Sequence, residues 1–174
     1  MAFNYYNKLS RRQKAIYRQS DMVTEIPLNL INRQCGAELI SLQQALGMEE
    51  RKVVEVMSAR LMDILADALN VPRPAVRVLS VRPSTDHTEL HGLYEPVDSG
   101  KRARISVWMR TVRHKRIVAY RTFLRTLLHE FCHHLDYEML QLEDSFHTEG
   151  FFKRESSLFH QLNSELERFS SVSG

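Results

Sequence analysis

The sequence predicts an α+β fold: a small, mostly antiparallel three-stranded sheet packed with helices, with one long helix at its centre. Three observations carry this expectation. Helical periodicity fills Glu49–Leu69 and Tyr120–Met139, strand-like segments cluster between them, and no Gly or Pro occurs from Lys101 to Glu149. The order helices, strands, helix, loop, helix suits helices laid on one small sheet.

Taken in order, Ser10 can cap a short basic helix, Arg11–Gln19, which leads through Pro27 into an irregular link ending at Gly36. Ala37–Leu46 reads as a short helix stopped by Gly47. Glu49–Leu69 is a longer one, with Val53, Met57, Leu61, Ile64, Leu65 and Ala68 as its inner face. Asn70-Val71-Pro72-Arg73-Pro74 ends it. Ala75–Val81, Glu89–Glu95 and Arg102–Val112 read as strands, separated by Pro83–Asp86 and Pro96–Gly100. In the last strand Ile105, Val107 and Met109 should face the core. Arg104, Ser106, Trp108 and Arg110 should take the opposite face, making Trp108 a candidate for stacking on a substrate or partner. Tyr120–Met139 is followed by a polar turn and a final helix, Gly150–Phe169, with Phe152, Phe159, Leu162, Leu166 and Phe169 at helical spacing. Residues 1–36 form a basic extension and 37–174 the main domain.

Composition narrows the class. A 174-residue chain that is 43% hydrophobic can bury a real core in one domain. No apolar run reaches membrane-spanning length and no signal peptide is evident. Two cysteines, Cys35 and Cys132, offer no disulfide framework, which suits a reducing cytoplasm. Cys132 falls in the apolar stripe of its helix and reads as a packed thiol, Cys35 as a loop thiol.

The chemistry is concentrated in His129-Glu130-Phe131-Cys132-His133, an HExxH pattern. Residues four apart share a helix face, so His129 and His133 can present two imidazoles to one metal ion, with Glu130 close enough to polarise water. Phe123, Leu124, Leu127, Leu128, Phe131, Cys132 and Leu135 place this pattern on an amphipathic helix rather than a mobile loop. A catalytic zinc site needs a third protein ligand and an open position. His147 is the first candidate for it, with Glu149 and Glu155 as competitors.

HExxH followed by His147 and, four residues later, Phe151 resembles the zincin metallopeptidases, most closely their SprT-like branch. The resemblance covers Ala75 to about Phe152. It implies a zincin-like fold, zinc (Zn2+) held by His129, His133 and His147, and Glu130 as general base in peptide hydrolysis. It also implies that the strand before the motif helix forms an edge over the cleft, where an extended peptide can add as a further strand. Action on DNA-bound proteins is a further implication. Two features depart from the branch: Thr148 stands where a glycine usually follows the third histidine, and the common four-cysteine zinc ribbon is absent.

Basic residues crowd positions 8–18 and 101–125, the latter with no acidic residue, while Thr126–Phe152 carries only acidic charge. A charge run is most often a solvated face, but either segment could attract nucleic acid. The alternative to a peptidase is therefore a non-catalytic, zinc-stabilised binding module for nucleic acid or DNA-bound protein. His87 and His91 read as structural or surface residues, and His134 as facing away from the ligand pair. Asp136 is a candidate to accept a hydrogen bond from a ligand imidazole. Tyr94, Tyr120 and Tyr137 are candidates to assist an oxyanion.

Overall fold

The computed structural model describes residues 3–28, 34–81, 84–85, 88–89, 91–111 and 115–172. Helix α1 (Arg11–Met22) begins at Ser10, whose hydroxyl accepts the Gln13 N–H at 3.2 Å. The Gln13 side chain accepts the Ser10 N–H in return at 3.0 Å, so two open backbone donors are satisfied. Helices α2 (Gln34–Gly47) and α3 (Arg51–Ala68) pack side by side. Cys35, expected in a loop, lies inside α2 and is buried, because that helix starts ahead of Gly36.

On α3 the buried face is Val54, Ser58, Leu61, Met62, Leu65 and Ala66, while Val53 and Val56 are exposed. The helix is thus turned by about one residue, roughly 100°, from the face expected from its apolar spacing. α3 lies between α2 and strand β1 of the sheet, and Ser58 and Ala66 are among its buried residues.

The main sheet is formed by β1 (Ala75–Val81), β4 (Gly92–Glu95) and β5 (Arg104–Arg110), in the order β1-β5-β4. Strand β5 runs parallel to β1 and antiparallel to β4, so the sheet is mixed rather than mostly antiparallel. A separate antiparallel pair, β2 (Ser84–Thr85) and β3 (Thr88–Glu89), precedes β4. The single strand expected over Glu89–Glu95 is therefore split. From β4 the chain turns back to β5 through Ser99 and Gly100, both at positive φ (46° and 80°). Gly100 takes that conformation without a Cβ penalty.

Ile105 to Met109 are all buried, so β5 is covered on both faces. Trp108 is only 7% exposed and is not the surface tryptophan that simple alternation predicts. Nor is β5 an edge: that place beside the cleft belongs to β4. The other outer strand, β1, is plugged at its middle. Val78 N–H donates to Glu55 and the Val78 carbonyl accepts from Arg51, each at 2.8 Å. Side chains from α3 thus occupy the groups another strand would pair with.

Helix α4 (Tyr120–Glu138) lies across β4 and β5, and α5 (Glu149–Val172) packs against α4, α2 and α1. Phe123, Leu127, Phe131, Leu135, Phe151 and Phe159 fill the core between them. No helix among the described residues is long and apolar enough to cross a membrane.

Candidate metal centre

His129 and His133 occupy successive turns of α4, and His147 lies two residues before the start of α5. Their Nε2 atoms converge: His147 Nε2 stands 2.9 Å from that of His129 and 3.0 Å from that of His133. Among the described residues these three histidines form the one group of potential ligands close enough to share an ion.

The surrounding bonds fix the protons on two of the rings. Ser145 Oγ lies 2.6 Å from Asp136 Oδ2 and 2.7 Å from His133 Nδ1. A hydroxyl has one hydrogen; given to the carboxylate, it leaves the oxygen to accept from His133 Nδ1–H. His129 Nδ1 stands 3.0 Å from Glu155 Oε2 and donates to it. Both rings therefore turn unprotonated Nε2 lone pairs toward His147. Three such nitrogens around one point, with at most one hydrogen among them, are a cation-binding donor set, and orienting partners on Nδ1 are what metal-ligating histidines use. Burial lowers the pKa of His133 to about 3, helped by His129 and His147, and burial lowers that of His147 as well. Both shifts favour the neutral ring that a metal ligand must present.

Glu130 is 6% exposed and reaches the same cleft from the adjoining face of α4. Its carboxylate accepts a hydrogen bond from the Tyr94 backbone N–H on β4. Burial raises its pKa to about 7, opposed by His129 and that hydrogen bond and reinforced by Glu155. Gly92 makes the arrangement sterically feasible: a Cβ there would stand 2.3 Å from Glu130 Oε1. The cleft, about 640 Å³, runs between α4 and β4 and includes Leu93, Tyr94, Thr126, Tyr137 and Ser145 in its walls.

The alternative ligands are placed elsewhere. Glu155 sits behind His129, on Nδ1 rather than at the point of convergence, and also pairs with Arg125 at 3.4 Å. Glu149 meets Lys153 at 2.8 Å on the first turn of α5. Asp136 does reach a ligand imidazole, but through Ser145 rather than directly. His134 is fully buried: its Nε2–H donates to the Pro72 carbonyl at 2.7 Å, leaving Nδ1 to accept from the Tyr94 hydroxyl at 3.1 Å. That bond removes the Tyr94 hydroxyl from the cleft. Tyr120 is in the core with its hydroxyl buried, so Tyr137 is the tyrosine of the three left beside the histidines with its hydroxyl uncommitted to His134 or the core. His91 lines the cleft, while His87 lies outside the described residues.

Two features had no reading in the sequence. Arg154 is fully buried and donates to Asp136 at 2.6 Å and to the carbonyls of Ser20 and Val23 at 2.5 and 2.6 Å. The signal was available: position 154 is three residues after Phe151 and four before Leu158, on the apolar face of α5. Thr148 is the second. Its side chain accepts the Phe151 N–H at 2.9 Å, so it caps α5. Comparison with known protein families, curated proteins and solved structures yields no match to this chain.

Proposed function

We propose that the chain is a zinc-dependent metallopeptidase of zincin type, nearest the SprT-like branch, with His129, His133 and His147 as ligands and Glu130 as general base. The observation that carries this reading is the convergence of three imidazole Nε2 atoms with the Glu130 carboxylate lining the same cleft. A zinc ion held there supplies Lewis acidity toward water and toward a carbonyl oxygen.

The protein's own residues do the rest. Glu130 takes a proton from the attacking water and returns it to the leaving amine. A carboxyl with a pKa near neutrality suits both transfers, and the positive charge of a bound ion draws it toward the ionised, proton-accepting form. Strand β4 orients a peptide by main-chain pairing, because it is the sheet's outer strand at the cleft, whereas β5 is interior. Tyr137 supplies the donor for the developing oxyanion. Two buried, unpaired cysteines are compatible with a reducing compartment, and we place the protein in the cytoplasm.

Nucleic-acid binding has the weaker support. Arg12, Arg104, Arg110 and Arg125 are each paired with a carboxylate, which reduces the free positive charge of the two basic segments.

Metal analysis with peptide hydrolysis tests the reading. The purified chain is expected to hold one zinc, and His147→Ala to lose it. Glu130→Gln is expected to keep the metal and lose about 10²–10⁴-fold in turnover. A Glu130→Gln protein as active as the unsubstituted one would remove Glu130 as the base.

A further inference from the structure

We propose that residues 3–23 are a working part of the metal centre: Tyr5, Arg12 and Asp21 hold the segment that carries His147 in register with α4. The inference rests on the metal-site reading above and extends it to residues that touch neither metal nor substrate. The starting point is an asymmetry in support. His129 and His133 are fixed by a regular helix, but residues 141–148 contain no helix or strand. A ligand on such a segment must be ordered by contacts from elsewhere, or binding must supply the ordering itself.

Those contacts come from the start of the chain. The Tyr5 hydroxyl donates to the His147 carbonyl at 2.8 Å. Arg12 reaches both carboxylate oxygens of Glu143, each at 2.6 Å. Asp21 Oδ1 accepts the Gly150 N–H at 2.8 Å, three residues beyond the ligand. Gly150 is itself required there, since a Cβ would stand 2.4 Å from the Asp21 carbonyl oxygen. The rings of Phe3 and Tyr17 lie against Phe152 and Phe146, with centroids 5.9 and 6.2 Å apart. Beneath them Arg154 ties the end of α1 to Asp136, and through Ser145 to His133. Hydrogen bonds, an ion pair and ring contacts, from four turns of chain, thus bracket one ligand. A terminal helix that merely covered core would have no need to bond the ligand's own carbonyl.

These residues act as positioning groups, so metal affinity is the readout and overall stability the control. The full-length Tyr5→Phe/Asp21→Ala protein retains the ring of Tyr5 and all three histidines. Zinc affinity by competition with a chromophoric chelator is expected to fall about 10- to 100-fold, from two lost hydrogen bonds, one of them charge-assisted. Hydrogen exchange at residues 143–150 of the metal-free protein is expected to speed up, with exchange in α3 unchanged. Arg12→Glu should weaken zinc binding by a few-fold, and Arg12→Glu/Glu143→Arg should restore it, which a loss of general stability would not do. Faster exchange with zinc affinity unchanged within two-fold overturns the proposal, because the segment would then be held for another purpose. An unsubstituted chain that binds no zinc overturns the metal-site reading instead. The two failures are distinct, since exchange at 143–150 still responds to the substitutions in the second.

Discussion

The two sides of the three-histidine cluster are built by different physics. On the α4 side, spacing does the work: a four-residue interval on an unbroken, deeply buried helix aims two imidazoles at one point. On the His147 side there is no repeating geometry. His147 is held by a cap at Thr148 and a hydroxyl bond from Tyr5, above a buried arginine of α5 that ties the end of α1 to Asp136. The first kind of order is local and cheap in conformational entropy, because the helix exists for other reasons. The second is assembled partly across the fold, with Tyr5 142 positions from His147, and each contact can be lost singly.

Arg154 underlies both sides, joining the end of α1 to Asp136. Arg154→Met leaves Asp136 buried without its cation and is expected to cost about 3–5 kcal/mol in urea denaturation. Arg154→Met combined with Asp136→Leu should recover part of that loss. A single variant within about 1 kcal/mol of the parent would show that the pair adds little to stability.

The outer partners of the helix-borne ligands come next. Glu155→Ala and Ser145→Ala each remove the group that orients one imidazole, and each is expected to weaken zinc binding by about 10–100-fold in chelator competition. Equal losses would place the two ligands on the same footing. A loss confined to Ser145→Ala would shift the weight to the segment preceding His147.

Smaller still is the cap. Thr148→Ala is expected to lower stability by about 1 kcal/mol, and Thr148→Ser to retain most of it, as read by thermal denaturation. The smallest effect is chemical. Burial pushes the Cys35 thiol up to about 12 and that of Cys132 well above the ordinary range, so neither is thiolate near neutrality. Both should react with a thiol reagent only at the rate of unfolding, and immediate labelling of Cys132 would mean that α4 opens locally.

This division also explains what could be read in the sequence. Tyr120–Glu138 was legible almost to the residue, and Ala75–Val81 in full, because periodicity and breakers are local signals. His147 was legible as a candidate since zinc chemistry asks for a third donor. The strand order was not: nothing within Arg104–Arg110 says that it lies between two others, and alternation misassigned Trp108 because both faces are covered. Likewise the α3 face was set by α2 and the sheet rather than by the helix itself. Ser145, Arg154 and Tyr5 act only across the fold, so their roles appear only when the elements meet.

Gly92 carries a consequence beyond geometry. Alanine at that position would change neither the HExxH motif nor any of the three histidines, so a scan of the motif would pass the chain as intact. Yet the added methyl would occupy the space of the carboxylate, displacing the proton acceptor from its seat on β4. On the function proposed above, activity thus rests also on one missing carbon, in a strand the motif does not include.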